Sequence, residues 1–293
     1  MVLDSHTHAW GPPTPEHPWT NGPLVEHSVN DFSTDVVYRD DQLLADMDAA
    51  GIDEAVIVGY PITDWTDNWY TVTAAETNER LAAVVMIDQF ADDAHTTLRE
   101  LMGHDGVLGF RLGVVCPYDE MWERFDYSQT WLRDAIDEDT FWEAAQDTDA
   151  LVQLLAHTSQ LEQALELVEA YPDLAYAFDH LAHADAADDP AESFAGFEAL
   201  ADFDRVAVKI SEVAYTSNES YPYEDAWDHI RWLLDTFGRE RVIWGSDFPN
   251  VSHPDYGGMT YEETLTWLEA VPFLSKKDRE WLTGRAFRDL VEW

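Results

Sequence analysis

The sequence predicts a single-domain (β/α)8 barrel, the TIM-barrel architecture, spanning residues 1–293. Eight short apolar segments alternate with amphipathic helical segments along the chain, the pattern of a parallel sheet wrapped by helices. The length of 293 residues suits one barrel of this kind. The long insertions follow strands one, four, seven and eight, so they gather at the C-terminal mouth where such barrels carry their chemistry. No linker or low-complexity stretch divides the chain. An open sheet of fewer than eight strands is the structural alternative.

The first strand is read at Val2 to Ser5, followed by a loop rich in Pro, Trp and His from Trp10 to Val37. A helix follows over Asp41 to Ala50, with Leu43, Leu44 and Met47 on one face and Gly51 as its stop. Strand two is Ala55 to Val58, and strand three, Ala82 to Ile87, comes after a helix ending near Arg80. Strand four is Val107 to Leu112, and the insertion Val114 to Gln129 precedes a helix ending near Thr148. Strand five, Leu151 to Ala156, leads into a helix reaching Tyr171, and strand six is Ala175 to Asp179. One helix over Ala191 to Leu200 connects to strand seven, Val206 to Ile210. The insertion Tyr215 to Tyr223 and a helix through Trp232 precede strand eight, Val242 to Gly245, and two helices close the chain.

Composition narrows the function. The net charge is −43, from 59 acidic against 16 basic residues, and only Lys209, Lys276 and Lys277 are lysines. The carboxylates are spread over every surface segment, for example Asp35 to Asp53 and Asp134 to Asp149, rather than gathered in a tail. At low salt such a chain repels itself, and near molar salt a Debye length of about 3 Å screens that repulsion. The acidity is therefore read as adaptation to a very salty cytoplasm, with an acidic surface for a basic partner as the alternative. It excludes nucleic acid as a partner. The single cysteine, Cys116, excludes an intramolecular disulfide and a cysteine-based zinc site. No apolar run approaches the roughly 20 residues that cross a bilayer. The polar, histidine-bearing start is not a secretory leader. A cytoplasmic protein acting on a small molecule is expected, with homo-oligomerisation left open.

The chemistry-bearing residues sit at predicted strand ends. His6-Thr7-His8 closes strand one, and side chains two apart on a strand share a face, so both imidazoles point to one side. Two convergent imidazoles make half of a zinc or similar transition-metal site. Strand eight ends in Gly245-Ser246-Asp247-Phe248-Pro249, and in a closed barrel it lies beside strand one, which puts Asp247 next to His6 and His8. Strand six delivers His180, and strand five is followed at once by His157. Histidines and a carboxylate at one mouth form an open metal site with room for water. Each has a plainer reading: Asp247 as a turn cap, His180 as a core histidine, His157 as part of a helix start. His183, His253, His229, His95 and His104 are placed on the surface or in loops.

The segments Leu3-Asp4-Ser5-His6-Thr7-His8, Gly109-Phe110-Arg111, Phe178-Asp179-His180-Leu181, Lys209-Ile210-Ser211 and Trp244-Gly245-Ser246-Asp247-Phe248-Pro249 resemble the amidohydrolase superfamily. The similarity is greatest to its amidohydrolase-related (amidohydrolase 2) branch of lactonases, small-molecule hydrolases and aromatic-acid decarboxylases. The resemblance implies a (β/α)8 barrel and one divalent metal ion, usually zinc. Ligand roles fall on His6, His8 and Asp247, with a further histidine from strand five or six. The decarboxylase pattern makes His157 that ligand and His180 the catalytic imidazole. The lactonase pattern often lacks the strand-five histidine and keeps a polar residue inside the strand, here Gln153. The chain departs from the usual Lys-x-Ser-Gly, because Glu212 follows Ser211.

The resulting expectation is a metal-dependent hydrolase that opens a small cyclic ester (lactone) with a metal-activated water. Asp247 acts as general base, His180 hydrogen-bonds the water or oxyanion, and Arg111 anchors a substrate carboxylate. For Arg111 the alternative is a structural salt bridge, and Lys209 is read as structurally paired. The competing functions are non-oxidative decarboxylation of an aromatic or unsaturated acid and a catalytically silent metal- or ligand-binding protein. Aromatic residues in the mouth loops (Trp10, Trp19, Trp65, Trp69, Trp122, Tyr215, Tyr223) fit a planar or sugar-like ring.

Overall fold

The computed structural model describes residues 1–19, 37–61, 65–115 and 129–293. Eight parallel strands follow one another around a single sheet in the order β1 to β8. They are β1 (Leu3–Thr7), β2 (Glu54–Val58), β3 (Leu81–Met86), β4 (Val107–Leu112), β5 (Leu151–Leu154), β6 (Ala175–Phe178), β7 (Val206–Ile210) and β8 (Val242–Trp244). Helices stand between them, so the architecture is the (β/α)8 barrel that the alternation predicts.

Two-residue alternation sorts each strand into an inner and an outer row. On β2, Val56 and Val58 join an inner cluster with Ala82, Val84, Ala175, Ala177, Ala207 and Ile243. Their neighbours Ala55 and Ile57 pack outward with the helices. The helix Ala286–Val291 adds Ala286, Phe287 and Leu290 to the inner cluster, so an apolar plug fills it. Polar residues on the inner rows, Gln153 on β5 and Lys209 on β7, are fully buried.

β1 breaks the alternation. Asp4 pairs with Ala55 and Thr7 with Ile57, so three steps on β1 match two on β2. This bulge shifts the facing of everything beyond it by one residue and turns His6 and His8 toward the barrel mouth.

The barrel closes between β8 and β1 through a few specific bonds. A parallel bridge joins Thr7 and Phe248. The Asp247 N–H donates to His6 O at 2.8 Å, and the His8 N–H donates to Phe248 O at 2.9 Å. Gly245 permits the approach: a Cβ there would lie 2.8 Å from the His6 Cβ.

Two expectations need correction. The helix expected over Ala191 to Leu200 is two short ones, Pro190–Ser193 and Phe197–Leu200, because Gly196 between them adopts φ 105°. His229, placed on the surface by sequence, is buried on the helix Trp227–Phe237 against Phe194. Cys116, Trp122, most of the insertion after β4 and much of that after β1 lie outside the described residues. No helix among the described residues is long and apolar enough to cross a membrane.

Candidate active site

His6, His8 and Asp247 meet at the β1–β8 seam, all buried. His8 Nδ1 donates to the Val58 carbonyl at 2.8 Å, which can only accept, and this bond turns Nε2 toward the cluster. That Nε2 lies 3.1 Å from Asp247 Oδ1, and His6 Nε2 lies 3.4 Å from the same oxygen. His6 Nδ1 points at Asp179 Oδ1, 3.4 Å away, a carboxylate–histidine contact of the kind that orients metal-binding imidazoles. Burial pushes the His6 imidazole down to about 3, against the pull of Asp179, so it is neutral at physiological pH.

Two atoms of this cluster, His6 Nε2 and Asp247 Oδ2, are buried without a hydrogen-bond partner. A buried lone pair left unpaired is costly and calls for a ligand. Donors each about 2 Å from a tetrahedral ion lie about 3.3 Å apart, close to the two separations across Asp247 Oδ1. The His6 and His8 imidazoles and the Asp247 carboxylate therefore fit a divalent cation.

Below the seam lies a buried ionic network centred on Asp179. Arg111 Nε donates to Asp179 Oδ2 at 2.8 Å, Gln153 Nε2 donates to the same oxygen at 2.9 Å, and Lys209 Nζ stands 3.4 Å from Oδ1. Lys209 also donates to Gln153 Oε1 at 2.7 Å and to Ser5 O at 3.0 Å. Burial alone would raise the Asp179 carboxyl, but the Lys209 and Arg111 charges hold it well below the usual carboxylate range. The network fixes Gln153 and, through Asp179, the His6 ring.

His180 opens a turn of unusual handedness. His180, Leu181, Ala182 and His183 all have φ near 50°. Left-handed backbone at residues with a Cβ is disfavoured by roughly 1–2 kcal/mol each, and such strain gathers at functional sites. The turn sets the His180 ring 4.7 Å from that of His6. Its Nε2 lies 3.0 Å from Arg111 Nη2, a donor, so the proton is on Nδ1, facing Ser211 Oγ at 2.9 Å and Glu212 Oε2 at 3.5 Å. Burial holds this imidazole well below its ordinary value.

The sequence-selected residues thus divide. His6, His8, His180 and Asp247 converge. Arg111 reaches the same place but is committed to Asp179 and His180, with its side chain 5% exposed. His157 is not brought into the cluster: its Nδ1 accepts from the Ser159 N–H at 3.2 Å, and it caps the short helix Thr158–Gln160. Asp4, passed over as a site residue, accepts from the His6 and Ser246 N–H groups and from the Tyr261 hydroxyl, fastening the two strand ends that carry the cluster. Its place two residues before His6 was the available signal. Of the mouth aromatics, Trp10 is buried and stacks on Tyr60 at 4.2 Å, and Tyr215 stacks on Tyr256 at 5.1 Å.

A (β/α)8 barrel with this histidine and aspartate cluster at its mouth defines a metal-using barrel hydrolase. The family model described as Amidohydrolase matches residues 3–286, and the chain belongs to that family. It is 26% identical over 278 residues to an L-fucono-1,5-lactonase of Burkholderia ambifaria, covering 91% of this chain and 86% of that protein. The fold is shared with an amidohydrolase from Burkholderia multivorans with bound zinc, at TM-score 0.76 and 19% identity over 100% of this chain and 99% of that one. It is shared equally with a probable 2-pyrone-4,6-dicarboxylic acid hydrolase from Acinetobacter baumannii with citric acid bound, at TM-score 0.76 and 18% identity, covering 100% and 99%.

Proposed function

We propose that the protein is a lactonase that opens a small cyclic ester with water, using one divalent metal ion, zinc, held by His6, His8 and Asp247. The observation that carries this reading is the convergence of His6 Nε2 and His8 Nε2 on Asp247 Oδ1 at the mouth, with His6 Nε2 buried and without a hydrogen-bond partner. The lactonase relative supports the substrate class. β5 supports it too, since Gln153 sits inside the strand while His157, which a decarboxylase pattern would use as a ligand, is occupied as a cap.

When bound, the ion supplies Lewis-acid polarisation of the ester carbonyl and acidifies the attacking water. This chain's own residues do the rest. Asp247 takes the proton of the attacking water and returns it to the leaving alkoxide. Asp179 and Gln153 flank His6 Nδ1 and orient its ring, and the Val58 carbonyl orients that of His8. His180, with Nε2 turned to Arg111, positions Ser211 and Glu212 at the rim rather than donating to an oxyanion. The substrate is a small molecule, and the acid-rich surface is suited to a salt-rich cytoplasm.

Elemental analysis of purified protein is expected to find about one ion per chain, lost on His6→Ala with His8→Ala while the fold persists. Asp247→Asn is expected to lower kcat on lactones by at least ~100-fold with little change in KM. Turnover of aromatic acids but not lactones, or near-normal kcat in Asp247→Asn, overturns the reading.

A further inference from the structure

His229 is buried where an imidazole finds no polar company. It stands in the first turn of the helix Trp227–Phe237, 1% exposed, and neither ring nitrogen has a hydrogen-bond partner. Its ring meets that of Phe194 edge-on at 5.4 Å, and Phe194 packs in turn on Trp232 at 5.1 Å and Phe197 at 5.4 Å. An aromatic pocket of this kind accepts a neutral imidazole and resists an imidazolium, which gives up hydration there without gaining a partner.

Carboxylates stand just outside. Asp185, Asp188 and Asp189, from the segment after β6, and Asp228, from the same helix, act on the ring, and all four are exposed. On the other elements packed against this helix, Glu192 and Glu224 are exposed, Asp225 is tied to Ser217 and Asn218, and Lys209 faces Asp179 inside the barrel. The one cation of the helix, Arg231, lies over the Phe273 ring at 4.1 Å. Burial prevails over the four carboxylates and holds the imidazole below its ordinary value. The ring therefore has two stable settings: neutral in the pocket, or charged among the aspartates.

The pocket is joined to the candidate active site through the chain. Phe194 closes the short helix Pro190–Ser193, which Asp189 caps by accepting from the Ala191 N–H at 2.9 Å. The stretch leading to it starts at the left-handed turn His180–His183. It is fastened to the loop after β7 where the Ala186 N–H donates to Thr216 O at 2.8 Å and Asn218 Nδ2 donates to Asp185 Oδ1 at 2.7 Å.

We infer that His229 is an acid-sensitive latch on residues 184–194. Neutral, it packs on Phe194 and holds the segment closed; protonated, it leaves the pocket for the aspartates and slackens the segment that follows His180. A group kept neutral when closed and free to protonate when open favours closure above about pH 6.5, the ordinary imidazole value, and opening below it. The opening equilibrium then grows up to about tenfold per pH unit on the acid side.

Hydrogen exchange read by mass spectrometry on peptides covering residues 184–194 tests this without any substrate, so it is decided separately from the lactonase reading. The series runs from pH 8 to pH 5 in molar KCl, which screens the exposed carboxylates, and is corrected for intrinsic exchange rates. The opening equilibrium of the wild type is expected to rise at least ~10-fold over this range, while that of β3 on the far side of the barrel stays within ~3-fold. His229→Gln and His229→Leu replace the ring with side chains that do not titrate, and each is expected to hold the segment within ~3-fold from pH 8 to pH 5. A wild type without the rise, a rise shared equally by β3, or a rise as large in either folded variant overturns the inference. Should neither variant fold, nitrogen-15 NMR of the wild-type ring decides. Protonation of His229 that coincides with loss of protection over residues 184–194 upholds the latch, and protonation that leaves the protection unchanged overturns it.

Discussion

Arg111 shows how burial reassigns a residue whose sequence context suggests substrate binding. At the end of a barrel strand an arginine is well placed to grip a carboxylate, but this one already has a carboxylate, Asp179, at 2.8 Å. Removing one partner of a buried pair leaves the other charge uncompensated, which typically costs about 3–5 kcal/mol. Arg111→Met is therefore expected to lower unfolding stability on that scale, with Lys209 left as the only full positive charge facing Asp179 among the described residues. Denaturant titration of the variant reads this directly. A variant as stable as the wild type that merely raises KM would restore the anchoring role. The ligand cluster was legible because His6, His8 and Asp247 each lie in a short motif at a strand end. The pairing of Lys209 and the alternative salt bridge of Arg111 were legible too, but Asp179 as their shared partner was not, because the members come from β4, β5, β7 and the end of β6 and only barrel closure brings them together.

At the scale of elements, the decisive feature is the seam between β8 and β1. The strands themselves were legible to within two residues, since apolar runs bounded by polar loops mark them well. What the period of two could not reveal is the bulge on β1, which adds a residue without altering composition. The left-handed turn after β6 was equally hidden, since none of its four residues is a glycine. Asp4 clasps the seam with bonds from Ser246 N–H at 2.9 Å, Tyr261 Oη at 2.9 Å and His6 N–H at 3.1 Å. Asp4→Ala strands these buried donors and is expected to cost about 2–4 kcal/mol and to weaken metal binding. Its pH signature has a definite sign. Burial pushes the Asp4 carboxyl up to about 6 from 3.8, so the folded state holds this proton where the unfolded state has lost it. Asp4's contribution is therefore greatest below about pH 4 and declines as the pH rises toward 6. Denaturation of both proteins from pH 4 to 7 is expected to show the stability gap narrowing with pH. A gap that widens instead would mean the folded protein holds Asp4 as the carboxylate.

For the whole molecule, the dominant physical fact is a net charge of −43 carried by 293 residues. Surface pairs such as Arg133 with Glu166 and Arg99 with Asp147 engage some acids, but with 16 basic residues for 59 acidic ones most carboxylates have no cation to meet. The mutual repulsion of these exposed charges favours any expanded state over the compact one. Salt acts on that repulsion selectively. The exposed carboxylates are separated by solvent, so lowering the Debye length from about 10 Å at 0.1 M to about 3 Å at 1 M removes most of their interaction. The Asp179 network is fully buried and is screened far less, so the site's internal ion pairs persist in the same salt. The two effects together predict that Tm climbs steadily from dilute buffer to molar KCl while the affinity of the His6, His8 and Asp247 cluster for its metal changes little. Thermal melts over a KCl series, with metal content measured at each step, check both parts. A Tm that is flat or falling with salt would mean that the acids do not burden the isolated fold, and the acidic surface would then have to be explained by a basic partner.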